Sequence, residues 1–161
     1  MNGPPLFEER SRVELRVERG LRAGALHGRR LVRLALAFFE AENLERVELS
    51  LSLVSDRRIR GLKKRWLGID AVTDVLSFPA GEGPTQGPRL LGDLVISLDT
   101  ARRAAAAFHT PLKLELARYL AHGLLHLLGF DHQRRADARR MERAERRLLG
   151  HAGMLARSDE V

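Results

Sequence analysis

Apolar and polar residues alternate without a break along Val47-Glu-Leu-Ser-Leu-Ser-Leu53, which predicts a strand with one buried face. The shorter alternation Val13-Glu-Leu-Arg-Val17 predicts another. Thr73-Asp-Val-Leu-Ser-Phe-Pro79, closed by proline, and Leu90 to Leu98 predict two more, paired with each other across the loop Gly81 to Pro88. Helical spacing dominates elsewhere. Leu31, Leu34, Ala35, Phe38 and Phe39 predict a helix from Gly28 to Ala41, ended by Asn43. Ile59, Leu62 and Trp66 predict a second, capped by Ser55 or Asp56 and stopped by Gly68. An alanine-rich helix capped by Asp99 or Thr100 runs to Phe108. Pro111 opens a long apolar helix, and an amphipathic helix from Arg135 to Leu149 follows. Residues 1–11, with Pro4 and Pro5, read as a loose leader. The expected fold is α+β: one domain over residues 1–161, with a mixed sheet of roughly four strands packed by about five helices.

The long helix carries the chemistry. On it Leu112, Leu116, Leu120, Leu124 and Leu127 share one sector, the expected core ridge. His122 and His126, four residues apart, project together from another sector, shared with Glu115 and Tyr119. Gly129 suits the left-handed turn that ends a helix, and His132 arrives just beyond it. Histidines at i, i+4 arise by chance often enough. Three of the chain's 6 histidines within one short stretch, split by a helix-ending glycine, point instead to a first shell for a borderline divalent ion such as zinc.

Composition narrows the choices. The 161 residues are 44% hydrophobic and 30% charged, which suits a folded domain rather than a disordered chain. With no cysteine, a metal could be held only by nitrogen and oxygen. Neither the apolar core of a signal peptide nor a run of about 18 apolar residues is present, so the expected location is the cytoplasm, with no membrane partner. The net charge of +7 favours a polyanionic partner; an arginine-rich composition bias would produce the same charge.

His-x3-His-x2-Gly-x2-His is also the spacing of metzincin proteases, where a glutamate after the first histidine serves as general base. Here Gly123 holds that position, which argues against peptide hydrolysis. Asp131, Asp93 and Glu115 are candidate outer groups around the histidines, chosen by sequence proximity or helical phase. The general base stays unassigned.

The block His122-Gly-Leu-Leu-His-Leu-Leu-Gly-Phe-Asp-His132 resembles the signature of the YbeY family, bacterial endoribonucleases and rRNA maturation factors. Thr73 to Pro79 and Leu91-Gly-Asp-Leu-Val-Ile-Ser97 resemble two further blocks of that family in the same order. The resemblance implies a zincin-like metal helix and one Zn2+ per chain, bound by His122, His126 and His132. It implies cleavage of single-stranded RNA, a role in rRNA maturation (notably the small-subunit 3′ end) and ribosome quality control, with ribosomal subunits as partners. Members of the family carry a tyrosine–arginine pair before the threonine block; here those positions are Trp66 and Leu67. Leucine offers phosphate no charged fork, and Arg65 is the candidate substitute. Arg134 and Arg135 head the arginine-rich last helix and are candidate RNA contacts, although that strip equally suits a solvated helix face. The alternative function is a non-catalytic, metal-stabilised ribosome assembly factor.

Overall fold

The computed structural model describes residues 10–83, 87–131 and 133–154. Within them the chain forms β1 (Arg12–Val17), α1 (Gly24–Ala41), β2 (Val47–Val54), α2 (Asp56–Leu67), β3 (Val75–Pro79), β4 (Arg89–Ser97), α3 (Leu98–Phe108), α4 (Leu112–Leu127) and α5 (Arg135–His151). The strands order as β1-β2-β4-β3. β1 and β2 are parallel, as are β2 and β4, while β3 returns antiparallel to β4 along the sheet edge. This is the α+β architecture with a mixed sheet that the patterning predicts.

Strand alternation divides the protein into layers. Leu49, Leu51 and Leu53 of β2 and Leu94 and Ile96 of β4 point to one side, into the main core. There they meet Leu31 and Phe38 of α1, Leu98 of α3, Leu120 and Leu124 of α4, and Leu148 of α5. The opposite face is covered only in part: Val54, Leu76 and Val95 form a smaller cluster with Ile59, beneath α2. One bulge sets this arrangement. The β2–β4 register steps from Glu48↔Leu90 to Leu49↔Gly92, and Gly92 adopts φ +135°. A side chain there would run into the Phe78 carbonyl, so glycine lets β3 and β4 approach while the strand changes register.

Three boundaries depart from the sequence expectation for local reasons. α1 begins at Gly24, four residues before Gly28, because both glycines are contact points with β1; a Cβ on Gly24 would lie 2.7 Å from Val17 Cγ1. α3 is capped by Ser97, whose Oγ accepts the Thr100 N–H at 3.2 Å, and not by Asp99 or Thr100. Those two side chains face α2 instead: Asp99 accepts the Asp56 N–H at 2.9 Å, and the Thr100 hydroxyl donates to Asp56 at 2.6 Å. β3 begins only at Val75, because Asp74 turns its carboxylate back to accept the Val75 N–H at 2.7 Å. Of the leader expected over residues 1–11, residues 1–9 lie outside the described residues, and Ser11 is tied to the sheet by accepting the Val47 N–H. Residues 84–86 of the expected loop also lie outside them.

Candidate metal and RNA site

α4 presents the histidines because its other sectors are occupied. Leu116, Leu120 and Leu124 are buried in the main core, whereas His122 and His126 are only half-buried. Gly123 lies against the sheet: a Cβ there would come within 2.7 Å of Leu94 Cδ2 and 3.1 Å of Val75 Cγ2, and the Ser77 hydroxyl donates to its carbonyl at 3.3 Å. The position that holds the protease glutamate is thus a packing contact with no room for one. The helix ends in a Schellman turn, as Gly129 predicts. The Phe130 N–H donates to the Leu125 carbonyl at 2.9 Å and the Gly129 N–H to the His126 carbonyl at 3.0 Å, with Gly129 at φ +93°.

The two imidazoles meet edge to face, their centroids 4.7 Å apart, with the Nε2 atoms separated by 3.1 Å. On the far side of His122, Nδ1 donates to Glu145 Oε1 of α5 at 2.6 Å. A carboxylate can only accept, so the neutral ring carries its proton on Nδ1 and leaves the Nε2 lone pair facing His126. With Zn–N bonds of 2.0–2.1 Å, two nitrogens on one tetrahedral ion stand roughly 3.3–3.4 Å apart. The observed pair would need to move only by tenths of an ångström to meet that requirement. Both donors are of the nitrogen type that a borderline divalent ion takes. Among the described residues no group of three histidine, aspartate or glutamate side chains is assembled for a metal; His132, the third expected ligand, lies outside them.

Glu145 is the outer group that sequence reading missed. Its neighbours in sequence mark only an amphipathic helix, and no spacing rule connects it to α4. The expected outer groups fare differently. Glu115 is buried, where it accepts from the Thr110 hydroxyl at 2.8 Å and pairs with Arg118 at 3.0 Å. Asp93 lines the opposite face of the sheet, with Val95. The engagements of both thus lie away from the imidazole pair. Asp131 follows the helix turn and accepts the Gln133 N–H at 3.2 Å. Tyr119, in the histidine sector, lies close enough to Asp74 to feel its charge; burial above all, then Asp74 and Glu115, pushes its hydroxyl up to about 12.

The candidate RNA contacts separate. Arg134 and Arg135 are exposed at the start of α5, where the chain leaves the histidine turn. Arg65 lies on α2, its guanidinium 5.3 Å from the centroid of the Trp66 ring. α2 covers the other face of the sheet, so Arg65 is not brought to the histidine pair. Leu67 is exposed and offers no charge.

Fold and site together define an α+β protein built around a histidine-bearing core helix that is braced by a carboxylate from the helix beside it. Residues 25–153 match the family model described as Endoribonuclease YbeY, and the chain belongs to that family. It is 51% identical over 163 residues to a Myxococcus xanthus protein named Endoribonuclease YbeY, covering 100% of this chain and 55% of the relative. The chain therefore spans about half the length of that relative. A protein of the same name from Thermus thermophilus is 46% identical over 121 residues, covering 74% of this chain and 87% of its own. The solution structure of TM1509 from Thermotoga maritima shares the fold, with a TM-score of 0.58 at 20% identity, over 92% of this chain and 99% of its own. Among the described residues, no helix is long and apolar enough to cross a membrane.

Proposed function

We propose that this chain is a metal-dependent endoribonuclease that cuts single-stranded RNA during cytoplasmic rRNA maturation, notably at the small-subunit 3′ end. Family membership supports the nuclease class, because the relatives carry that name. The observation that carries the metal dependence is the Nε2 pair of His122 and His126 at 3.1 Å, with Glu145 holding the tautomer of His122. In this reading one Zn2+ is held by His122, His126 and His132. Such an ion would supply Lewis-acid activation of water and of a phosphoryl oxygen. The chain's own part is to aim the imidazoles through Glu145 and to attract the phosphate backbone with a net charge of +7. Arg134 and Arg135, exposed beside the histidine turn, would offset phosphate charge there.

The test is cleavage of single-stranded ribosomal RNA by metal-quantified wild type beside His126→Ala, both purified free of host nucleases. Cutting by wild type that leaves 3′-hydroxyl and 5′-phosphate ends, lost together with the metal in the variant, is the expected result. The exposure of Leu67, where the resemblance leads one to expect an arginine, favours a second reading, a metal-stabilised ribosome assembly factor. Stoichiometric metal with no cutting by either protein would establish that reading and overturn the first.

A further inference from the structure

We infer that the open face of the sheet, partly roofed by α2, is a second RNA subsite, in which one base stacks on Trp66 while the flanking phosphates follow the basic side of α2. The inference rests on RNA being the substrate of the histidine site. Between α2 and the sheet lies a cavity of about 750 Å³, within the size range of small-ligand pockets. Its floor is apolar, from Val54, Val95, Phe78 and Leu62, and Trp66 stands at its margin. Trp66 is 62% exposed, an unusual place for so large an apolar ring. With the Arg65 guanidinium over its ring, the indole already takes part in the cation–π contact that arginine also makes with nucleobases.

The charge around this cavity selects the occupant. α2 carries Arg57, Arg58, Arg60, Lys63, Lys64 and Arg65 against the single acid Asp56. Asp56 is neutralised by Arg103, and Arg60 is paired with Asp70 at 2.7 Å. Among the described residues the other five cations of α2 enter no ion pair, and a second groove, lined by Glu18, Arg57, Arg58, Gly61 and Arg65, continues from the cavity through Glu18, Arg58 and Leu62. Two acids also line the cavity, too few to offset these cations: Glu18 is held by the Ser55 N–H at 2.6 Å and the Ser55 hydroxyl at 3.1 Å, and Asp93 belongs to β4. An aromatic platform beside a cationic track is the pattern by which proteins hold single strands, whose bases are free to leave the stack.

The two sites lie on opposite faces of one edge strand. Ser77 of β3 touches α4 beneath the histidines, and its neighbour Phe78 lines the cavity. A strand of RNA passing over the β3 edge would engage both, whereas a duplex could not give up a base to Trp66. The groove thereby favours single-stranded substrate independently of the cleavage chemistry.

Trp66 is the chain's only tryptophan, so its fluorescence reports this groove alone. The 161-residue chain, held in EDTA so that no RNA is cut, is titrated with a short single-stranded RNA and with the duplex of the same sequence. Binding is followed in parallel by the anisotropy of end-labelled RNA. The single strand is expected to quench most of the Trp66 emission and the duplex to quench little. By anisotropy, Trp66→Leu should weaken single-strand binding on the order of 5- to 100-fold, the range for loss of one stacked base. Arg58→Ala/Arg65→Ala should lower the salt dependence by about 0.7 for each phosphate that is no longer neutralised. RNA binding and cleavage with silent Trp66 fluorescence and unchanged affinity in Trp66→Leu would overturn the subsite and leave the nuclease reading standing. Quenching without cleavage under any metal condition would do the reverse. Quenching by an acidic peptide but not by RNA would assign the groove to a protein partner and overturn the inference.

Discussion

The Nδ1 atom of His122 lies 2.6 Å from Oε1 of Glu145, and this single hydrogen bond ties the orientation of the α4 imidazole to the packing of α5. Partners of this kind typically contribute 10- to 100-fold to metal affinity. Glu145→Ala is therefore expected to weaken zinc binding by about that factor, with Glu145→Gln, which keeps an acceptor oxygen, recovering part of the loss. Competition against a chromogenic chelator reads this directly, without reference to cleavage. Wild-type affinity in Glu145→Ala would remove Glu145 from the site.

Gly92, in the β3–β4 contact, and Gly123, in the contact of α4 with the sheet, differ in what opposes a side chain. At Gly92 the obstacle is backbone, the Phe78 carbonyl and the Ala80 nitrogen, and φ is +135°. At Gly123 it is the tips of Leu94 and Val75, which can shift, and an added methyl also raises helix propensity by about 1 kcal/mol. Gly92→Ala should accordingly lower stability by about 3 kcal/mol or more, from strain and overpacking together. Gly123→Ala should cost about 1 kcal/mol or less. Denaturant midpoints of the two variants check the order, and a more damaging Gly123→Ala would contradict it.

Asp56 links three elements, accepting from Ser97 at 2.7 Å and Thr100 at 2.6 Å and pairing with Arg103. Burial by itself would push its carboxyl up, but Arg103, Thr100 and Ser97 outweigh this and hold it below the usual carboxylate range. With the folded value depressed, the unfolded chain binds the proton first, so this contribution is complete above about pH 4 and lost as pH falls through the folded value. Thermal melts from neutral to acidic pH should show wild type losing this increment below about pH 4, and Asp56→Asn starting lower without that step. Parallel curves for the two proteins would show that Asp56 is not coupled to folding.

Tyr119 is the only tyrosine, so alkaline absorbance titration follows it alone. Burial first, then Asp74 and Glu115, raise its folded value to about 12. The unfolded chain ionises near pH 10, so stability declines as pH rises between these values, the opposite sense to Asp56. The tyrosinate band is expected close to pH 12 while circular dichroism still reports the fold, and Asp74→Asn should bring it down. A folded-state midpoint near 10 would mean that Tyr119 is not buried beside Asp74.

Much of this architecture is legible from residue spacing. The period-two runs place β1 and β2, the period-3.6 ridge of α4 turns its leucines inward and its histidines outward, and Gly68 and Gly129 end their helices where left-handed residues are needed. The caps are less legible. Ser97, Asp99 and Thr100 are all competent cap residues in one stretch; Asp56, far earlier in the chain, engages the side chains of all three, and Ser97 is the one whose oxygen also accepts the Thr100 N–H. Asp93 shows the same limit. Sequence proximity suggests a position near the histidines, but strand alternation with the bulge at Gly92 sets it on the opposite face, with Val95.

Local physics, then, is enough to specify the elements and the histidine helix: backbone sterics, hydrophobic period and cap chemistry act over a few residues and can be read from those residues. The pairing of Glu145 with His122, the lack of space at Gly123 and the cavity beneath Trp66 arise from contacts between elements distant in sequence. Their positions depend on how layers of side chains fill the space between sheet and helices, and close packing of that kind is settled only when the whole chain has folded.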